Sequence, residues 1–177
     1  QGLKGAANLE YDRIRSKKAV VLDASDDVGK IVARAPGECH IRGEIFGQRS
    51  HAGSDPEKGV SAIQAAVLGA SRMKLQRIDH ETTANIGTLS TVGETNVVQD
   101  HCVFEAETRS RNKEKLDAQL KDMIKCMQDA CDELGARFEY KAWQNYEGYD
   151  YPDDHEHVQF LMEKCRQAGI EPWVTHS

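Results

Sequence analysis

The sequence feature that most constrains the fold is a long amphipathic pattern in the second half of the chain. Six apolar residues recur at intervals of four and three: Leu116, Leu120, Met123, Met127, Ala130 and Leu134. This spacing places them on one face of an α-helix. Asn112 is a suitable N-cap, and Gly135 is typical of the glycine that follows a last helical turn. The sequence therefore predicts a helix of about six turns whose apolar face packs against another layer.

A second, shorter helix is predicted from Asp55 onwards. Asp55 is a suitable N-cap, Pro56 suits the first helical position, and Glu57 is favourable in the first turn. Four apolar residues then recur three or four apart and share one helical face: Val60, Ile63, Val67 and Ala70.

Strand patterns flank both helices. Alternating or β-branched residues predict strands at 39–45, 82–89, 97–108 and 137–143. The order strand, helix, strand, strand, helix, strand is that of the ferredoxin-like split βαβ fold, in which one antiparallel sheet carries two helices on one face. The predicted fold class is therefore α/β in its α+β form, with a βαββαβ sandwich. The other face and an edge strand would need cover, and pairing with a second copy is one solution.

The two ends of the chain do not belong to this pattern. The apolar run Lys18-Ala-Val-Val-Leu-Asp23 predicts a buried strand, and residues 152–168 predict a helix. We interpret residues 37–146 as one domain, and residues 1–36 and 147–177 as parts of another domain that is cut off at both ends.

Composition excludes several classes of protein. With 39% hydrophobic and 29% charged residues the chain has the balance of a soluble globular protein. Its net charge of -6 argues against a nucleic-acid surface, and no apolar run is long enough to span a bilayer. Five cysteines without a CxxC spacing fit reduced thiols in a cytoplasmic protein better than a disulfide framework or a zinc finger.

Three polar residues of the central region are candidates for a site. His51 lies in a loop of small residues, where an isolated histidine is most often exposed or capping. Asn96 and Arg109 offer an amide and a guanidinium, which suit recognition of a carboxylate or a peptide carbonyl. The alternative for Arg109 is a surface ion pair with Glu105 or Glu107 on the same face of its strand.

Two further candidates are weaker. Asn85 could bind substrate in the same way as Asn96, although a polar residue in mid-strand is more often a structural amide. Asp23 ends the predicted buried strand, where α/β domains place their ligands. Its alternative role is to form a turn with its neighbours, Ser25 among them.

Four short motifs follow one another between residues 40 and 112. They are Gly47-Gln-Arg-Ser-His-Ala-Gly-Ser-Asp-Pro-Glu-Lys-Gly59, Arg77-Ile-Asp-His-Glu-Thr-Thr-Ala-Asn-Ile-Gly87, Glu94-Thr-Asn-Val-Val98 and Glu105-Ala-Glu-Thr-Arg-Ser110. In this order they resemble the M20 family of zinc metallopeptidases, and within it the aminopeptidases similar to peptidase T. The resemblance implies that residues 37–146 are a lid and dimerisation domain, and that both ends belong to a catalytic domain.

The resemblance also implies roles for the candidate residues. His51 would reach across a homodimer and donate a hydrogen bond to the oxyanion that forms in the neighbouring active site. Asn96 and Arg109 would hold the backbone or the C-terminal carboxylate of a short peptide. Asp23 would bind one of two zinc ions.

The resemblance leaves most of the metal site outside this chain. A pair of catalytic zinc ions needs about five histidine and carboxylate ligands and a carboxylate base. Asp23 is the one such ligand that the resemblance places here, and a Glu-Glu pair would precede Gln1. We therefore expect the chain alone to bind no zinc and to be inactive. Two alternatives stay open: a related deacylase, amidohydrolase or dipeptidase of the same family, and a purely structural module that self-associates.

Overall fold

A computed structural model describes residues 4–16, 18–25 and 27–177 of the chain. The chain forms two compact units, one of Pro36–Gly148 and one that combines Gln1–Ala35 with Tyr149–Ser177. Of the five candidate residues, Asp23 belongs to the second unit and the other four belong to the first.

Over the described residues the α-helices are α1 (Lys4–Ala7), α2 (Ala62–Arg72), α3 (Lys113–Leu134) and α4 (Glu156–Gln167). The strands are β1 (Lys30–Ala35), β2 (Gly37–Phe46), β3 (Ser50–His51), β4 (Gln76–Arg77), β5 (Thr82–Ser90), β6 (Val97–Val98), β7 (His101–Ser110), β8 (Arg137–Tyr146), β9 (Tyr149–Asp150) and β10 (Trp173–His176). Two short 3-10 helices lie at Tyr11–Arg13 and Pro56–Lys58. In the described part of the chain, none of the helices has both the length and the apolar character needed to cross a lipid bilayer.

The larger unit contains the predicted sheet and helices. Its five-stranded sheet has the order β4-β5-β7-β2-β8, and every neighbouring pair is antiparallel. Without the short strands β3, β4 and β6, the chain order is β2-α2-β5-β7-α3-β8. The predicted α+β class and βαββαβ order are therefore confirmed.

The two faces of this sheet differ in polarity. One face packs against α2 and α3 around fully buried side chains, which include Ile41, Ile45, Phe104, Met123 and Met127. Each such side chain contributes roughly 1.5–3 kcal/mol through its burial. The opposite face, called the open face below, carries the alternate residues of β2 and β7: Glu38, His40, Arg42, Glu44, Val103, Glu105, Glu107 and Arg109.

Helix α3 forms as predicted. The Asn112 side chain accepts a hydrogen bond from the backbone N–H of Lys115 at 3.0 Å, which caps the first turn. Gly135 ends the helix with a left-handed φ of 73°, a conformation that glycine adopts without steric cost. Leu116 and Met127 of the apolar stripe are buried, and Leu120 packs partly buried against the core.

The predicted start of α2 was wrong by six residues, because the N-cap is Ser61 and not Asp55. Asp55 precedes only the short 3-10 helix, and its side chain caps no backbone N–H. Val60 exchanges two backbone hydrogen bonds of 2.9 Å with Gln48, and this bridge holds the backbone extended. The α-helix therefore begins after Ser61, whose hydroxyl accepts a hydrogen bond from the N–H of Gln64 at 3.1 Å.

The predicted apolar face of α2 is not its buried face. The helix packs through small residues, Ala62, Ala65, Ala66 and Gly69. Ile63 and Val67 are 37% and 52% exposed. Small side chains let α2 approach α3 closely, since a Cβ added at Gly69 would lie 3.0 Å from the Cα of Met127.

The predicted buried strand at 18–23 was also wrong. Residues 18–23 form neither helix nor strand, and Val20, Val21 and Leu22 are exposed. A buried strand needs a paired neighbour. In this unit β1 pairs with β10 on one side and with β9 on the other, so neither edge of β1 is left for residues 18–23. The small core of the unit lies between β1 and α4, where Ile31, Ala33 and Val158 are buried.

Candidate functional site

His51 lies at the end of the short strand β3, which pairs with β6 next to the turn that carries Asn96. His51 is opposite Val97 in this antiparallel pair. One residue further, the N–H of Ala52 donates to the backbone oxygen of Asn96 at 2.9 Å. The structure therefore brings the backbones of His51 and Asn96, both of which are exposed residues, to neighbouring positions.

The His51 ring has a defined donor and acceptor side. Its Nδ1 accepts hydrogen bonds from the backbone N–H groups of Gly53 and Ser54, both at 3.1 Å. A nitrogen that accepts two hydrogen bonds carries no proton, so the proton of the neutral ring is on Nε2. No described residue hydrogen-bonds to Nε2. The loop thus presents an N–H donor outward from a ring whose orientation is fixed by the backbone.

The backbone of the Asn96 turn is held by a buried amide. The N–H of Val97 donates to the oxygen of Glu94 at 3.2 Å and closes the turn. Inside the turn, Nε2 of Gln99 donates to the backbone oxygen of Glu94 at 3.1 Å and to the backbone oxygen of Val97 at 3.3 Å. Gln99 is 7% exposed. Sequence reasoning missed this residue, because its spacing within the chain gives no sign that its side chain folds back under the turn.

Arg109 lies near the other end of β7, in a polar network on the open face. Its Nε and Nη2 donate to the two carboxylate oxygens of Glu107 at 2.9 and 3.0 Å. Nη2 is also 2.9 Å from a carboxylate oxygen of Glu38. Among the described residues Nη1 has no hydrogen-bond partner, and the side chain is 41% exposed. The ion pair expected as the alternative for Arg109 is therefore present, and one nitrogen of the fork is still available.

Glu38 is the centre of this network and was missed by sequence reasoning. It is 5% exposed. Besides Arg109, its carboxylate oxygens are contacted by the hydroxyl of Tyr146 at 2.5 Å, Nδ2 of Asn145 at 2.8 Å and Nε2 of His40 at 2.7 Å. The alternation along β2 indicates the face of Glu38. Its burial depends on β8 residues more than a hundred positions away.

The network shifts the acid–base properties of its members. Burial alone would raise the pKa of Glu38, but the hydrogen bonds from Tyr146 and Asn145 and the charge of Arg109 outweigh it and lower that pKa. Burial and the hydrogen bond to Glu38 raise the pKa of Tyr146 to about 12. The fold therefore favours an ionised Glu38 next to a neutral Tyr146.

The other two candidates occupy different places. Asn85 is exposed on β5 and pairs with Glu107 across the sheet, so it lies on the open face close to Arg109. Asp23 is exposed in the stretch without regular structure.

The candidate residues of the larger unit form two separate groups. His51 and Asn96 lie next to the start of β7, where Gly47 donates to the oxygen of Asp100 at 2.8 Å. Arg109 and Asn85 lie near its far end. Eight residues of β-strand separate position 101 from position 109, which corresponds to roughly 27 Å. Within one copy of the chain, His51 and Arg109 therefore cannot touch the same small molecule.

The residues present do not fit a pair of zinc ions. Two groups of possible ligands among the described residues have atoms within 4.8 Å of one another: Glu38, His40 and Glu107, and Asp79, His80 and Glu81. Arg109 already binds both glutamates of the first group, and Lys115 contacts both carboxylates of the second at 3.0 and 2.6 Å. Asp23 belongs to neither group.

Comparison with known proteins identifies the family. Residues 35–134 match the family described as the M20 peptidase dimerisation domain. The protein YqjE of Bacillus subtilis (strain 168) is 38% identical over 168 residues, which cover 95% of this chain and 45% of that protein.

Two crystal structures match nearly the whole chain. Aminopeptidase PepT from Bacillus cereus ATCC 10987 is 37% identical, with a TM-score of 0.90 over 99% of this chain and 47% of that one. A tripeptidase from Staphylococcus aureus is 37% identical, with a TM-score of 0.93 over the same shares. The chain thus spans about half the length of these relatives. Because the family match covers more than half of its residues and the structural matches nearly all of them, the chain belongs to the M20 peptidase dimerisation-domain family.

Proposed function

We propose that this chain provides the dimerisation domain, and adjoining segments of the catalytic domain, of a cytoplasmic aminopeptidase that releases N-terminal residues from short peptides. The observation that carries the proposal is the 37% identity over 99% of the chain to an aminopeptidase and to a tripeptidase. In this proposal residues 37–146 form the dimerisation domain, and residues 1–36 and 147–177 belong to the catalytic domain.

In the proposal, His51 stabilises the oxyanion of the tetrahedral intermediate. An oxyanion needs a donor that is already oriented before charge develops. The outward Nε2–H of His51, held by two backbone hydrogen bonds to Nδ1, supports this role. Asn96 lies beside it and would bind a carbonyl of the same substrate.

Arg109 would anchor the substrate carboxylate through Nη1, with Asn85 nearby on the open face. Two acidic neighbours fix its guanidinium and partly neutralise it. We therefore assign Arg109 an orienting contact of one or two hydrogen bonds rather than a full countercharge. Because Arg109 lies roughly 27 Å along β7 from the end next to which His51 lies, their joint action on one substrate requires two copies of the chain.

Zinc is proposed as the metal of the whole protein. Since the described residues assemble no two-metal site, its ligands would come mainly from residues outside this chain, with Asp23 as the one contribution from within it. Elemental analysis tests this point. We expect no stoichiometric zinc on the chain alone and two ions on a polypeptide with the length of the relatives. Tight zinc binding by the chain alone would contradict the assignment.

The same proposal requires a surface for the second copy, and the edge beside β5 and α2 fits best. Beyond Thr83 and Ala84, which pair with β4, no described strand pairs with the outer side of β5. Helix α2, which connects β2 to β5, packs on β7 and β2. Its exposed Ile63 and Val67 face away from α3, since they lie roughly 120–160° around the helix from Gly69. Unpaired strand backbone and exposed apolar side chains both favour association.

Sedimentation velocity of the chain over a range of concentrations tests this surface. We expect a dimer that is lost when Ile63 and Val67 are both replaced by Asp, because the charges would be buried without partners. Ala118→Asp is the control, since it adds a charge at an exposed position of α3, outside the proposed surface. A monomer at every concentration, or a dimer indifferent to both substitutions, would contradict the assignment.

A polypeptide extended to the length of the relatives tests the activity. We expect zinc-dependent release of the N-terminal residue from tripeptides. Hydrolysis of acylamino acids or dipeptides in preference to tripeptides would favour a related deacylase or dipeptidase of the same family. Zinc binding without hydrolysis of any of these amides would favour a structural module.

A further inference from the structure

We propose that Gln99 is a positioning residue that holds Asn96 and His51 in register, an inference that rests on the proposed function of those two side chains. We assign Gln99 no contact with substrate. Its amide lies under the turn from Glu94 to Val97 and acts through the backbone of that turn.

The contacts of Gln99 account for this role. Its Nε2 donates to the backbone oxygens of Glu94 and Val97, which lie on either side of Asn96. The Gln99 side chain that makes these bonds is 7% exposed. A buried amide is hydrogen-bonded at a fixed position, because leaving its donors unpaired is costly. The turn is thus closed from inside by a side chain as well as by its own backbone hydrogen bond.

The space for this amide depends on Gly93. A Cβ at Gly93 would lie 2.1 Å from Cδ, Nε2 and Oε1 of Gln99. The backbone of Gly93 is not left-handed, so an alanine there is not strained by its conformation. Residue 93 must therefore lack a Cβ because of the neighbouring Gln99 amide, and not because of the backbone conformation of the turn.

The same turn also holds residues 51 and 52 in place. Val97 pairs with His51, and the oxygen of Asn96 accepts the N–H of Ala52. Strand β3 has two residues and β6 has two, so this pair has few hydrogen bonds of its own. Displacement of the turn would move His51 and Asn96 together.

The support that the Gln99 amide gives to the turn from Glu94 to Val97 is called the brace below. Hydrogen exchange on the present chain tests this brace without any peptidase assay. Gln99→Met keeps the length of the side chain and removes the amide. We expect the amide protons of Ala52 and Val97 to exchange about tenfold faster in this variant, while those between β2 and β7 are unchanged. Gly93→Ala should have the same effect, because it pushes the intact amide out of place. Unchanged exchange at Ala52 and Val97 in both variants would overturn the proposal.

A double substitution provides the internal control. In a Gln99→Ala background the space next to residue 93 is empty, so Gly93→Ala should cause no further increase in exchange. If Gly93→Ala accelerates exchange equally in both backgrounds, the glycine acts independently of Gln99 and the proposed brace is wrong.

Kinetics of the extended polypeptide test the link to function. We expect Gln99→Met to lower kcat roughly tenfold to a hundredfold, since a small misplacement of an orienting group has effects of this size. In a His51→Ala background it should lower kcat no further. Faster exchange in Gln99→Met, together with a His51→Ala variant that keeps the wild-type kcat, would leave the brace intact and reject the proposed function of His51. An equal loss of kcat in both backgrounds would contradict the positioning role.

Discussion

Removal of the buried charge of Glu38 should lower the stability of the larger unit. Its oxygens face Tyr146, Asn145, His40 and Arg109, and a glutamine can satisfy only part of this set. We expect Glu38→Gln to lower the free energy of unfolding by about 2 kcal/mol at neutral pH, because buried donors lose their acceptor. In the control Glu105→Gln, whose exposed pair with Arg42 contributes little, the change should be below about 0.5 kcal/mol.

The effect of Glu38 depends on pH in a defined direction. The pKa of Glu38 is lower in the folded chain than the ordinary glutamate value of 4.5. A carboxyl group with a lowered pKa stabilises the fold above its unfolded pKa, and this contribution disappears as the pH falls through the folded pKa. The difference between wild type and Glu38→Gln should therefore shrink below pH 4.5. Denaturant unfolding followed by Trp143 fluorescence, in a Trp173→Phe background, measures it. A difference that grows in acid would contradict the account.

At the residue scale, sequence reasoning named exposed candidate residues but not the residues that support them. His51, Asn96 and Arg109 stood out because they lie in motifs that resemble those of the M20 family. Glu38 and Gln99 did not, since each is defined by its partners in space. Glu38 receives hydrogen bonds from residues 107 and 108 positions away. A local sequence pattern does not reveal contacts between residues that are so far apart in the chain.

At the scale of elements, the contact between α2 and α3 depends on one glycine. A Cβ at Gly69 would lie 2.7 Å from Sδ and 3.0 Å from Cα of Met127. Alanine favours a helix over glycine by about 1 kcal/mol, but forced repacking costs about 1–3 kcal/mol. We therefore expect Gly69→Ala to lower stability by about 1 kcal/mol. Gly87→Ala is the control for steric effects, because its nearest new contact is an oxygen at 3.7 Å. Thermal unfolding of both variants provides the comparison, and a stabilised Gly69→Ala protein would refute the close contact.

Helix α3 was predictable because its cap, its periodicity and its terminal glycine all agree. Helix α2 was predicted less well, because two physical signals compete at its start. Asp55 and Pro56 favour a helix there, whereas the bridge between Gln48 and Val60 keeps the backbone extended at Val60 and delays the start of the α-helix. The strand at 18–23 failed for a related reason. An apolar run indicates burial, but both sides of β1 are taken by β9 and β10, and residues 18–23 pair with no described strand.

At the scale of the whole molecule, the account depends on the separation of its two candidate groups. The βαββαβ order followed from the sequence, since the patterns of period two and period 3.6 alternate clearly. The positions of His51 and Arg109 at opposite ends of β7 follow from that order. Their proposed meeting at one substrate does not, because it needs a second copy of the chain.

Subunit mixing tests this meeting most directly. In the extended polypeptide, His51→Ala and Arg109→Ala should each abolish most peptide hydrolysis, whereas His80→Ala, at an exposed turn histidine, should not. A mixed dimer of the two inactive variants contains one site with an intact His51 from one subunit and an intact Arg109 from the other. Random exchange of subunits should then restore about a quarter of the wild-type activity. No recovery, although mixed dimers are shown to form, would contradict the account.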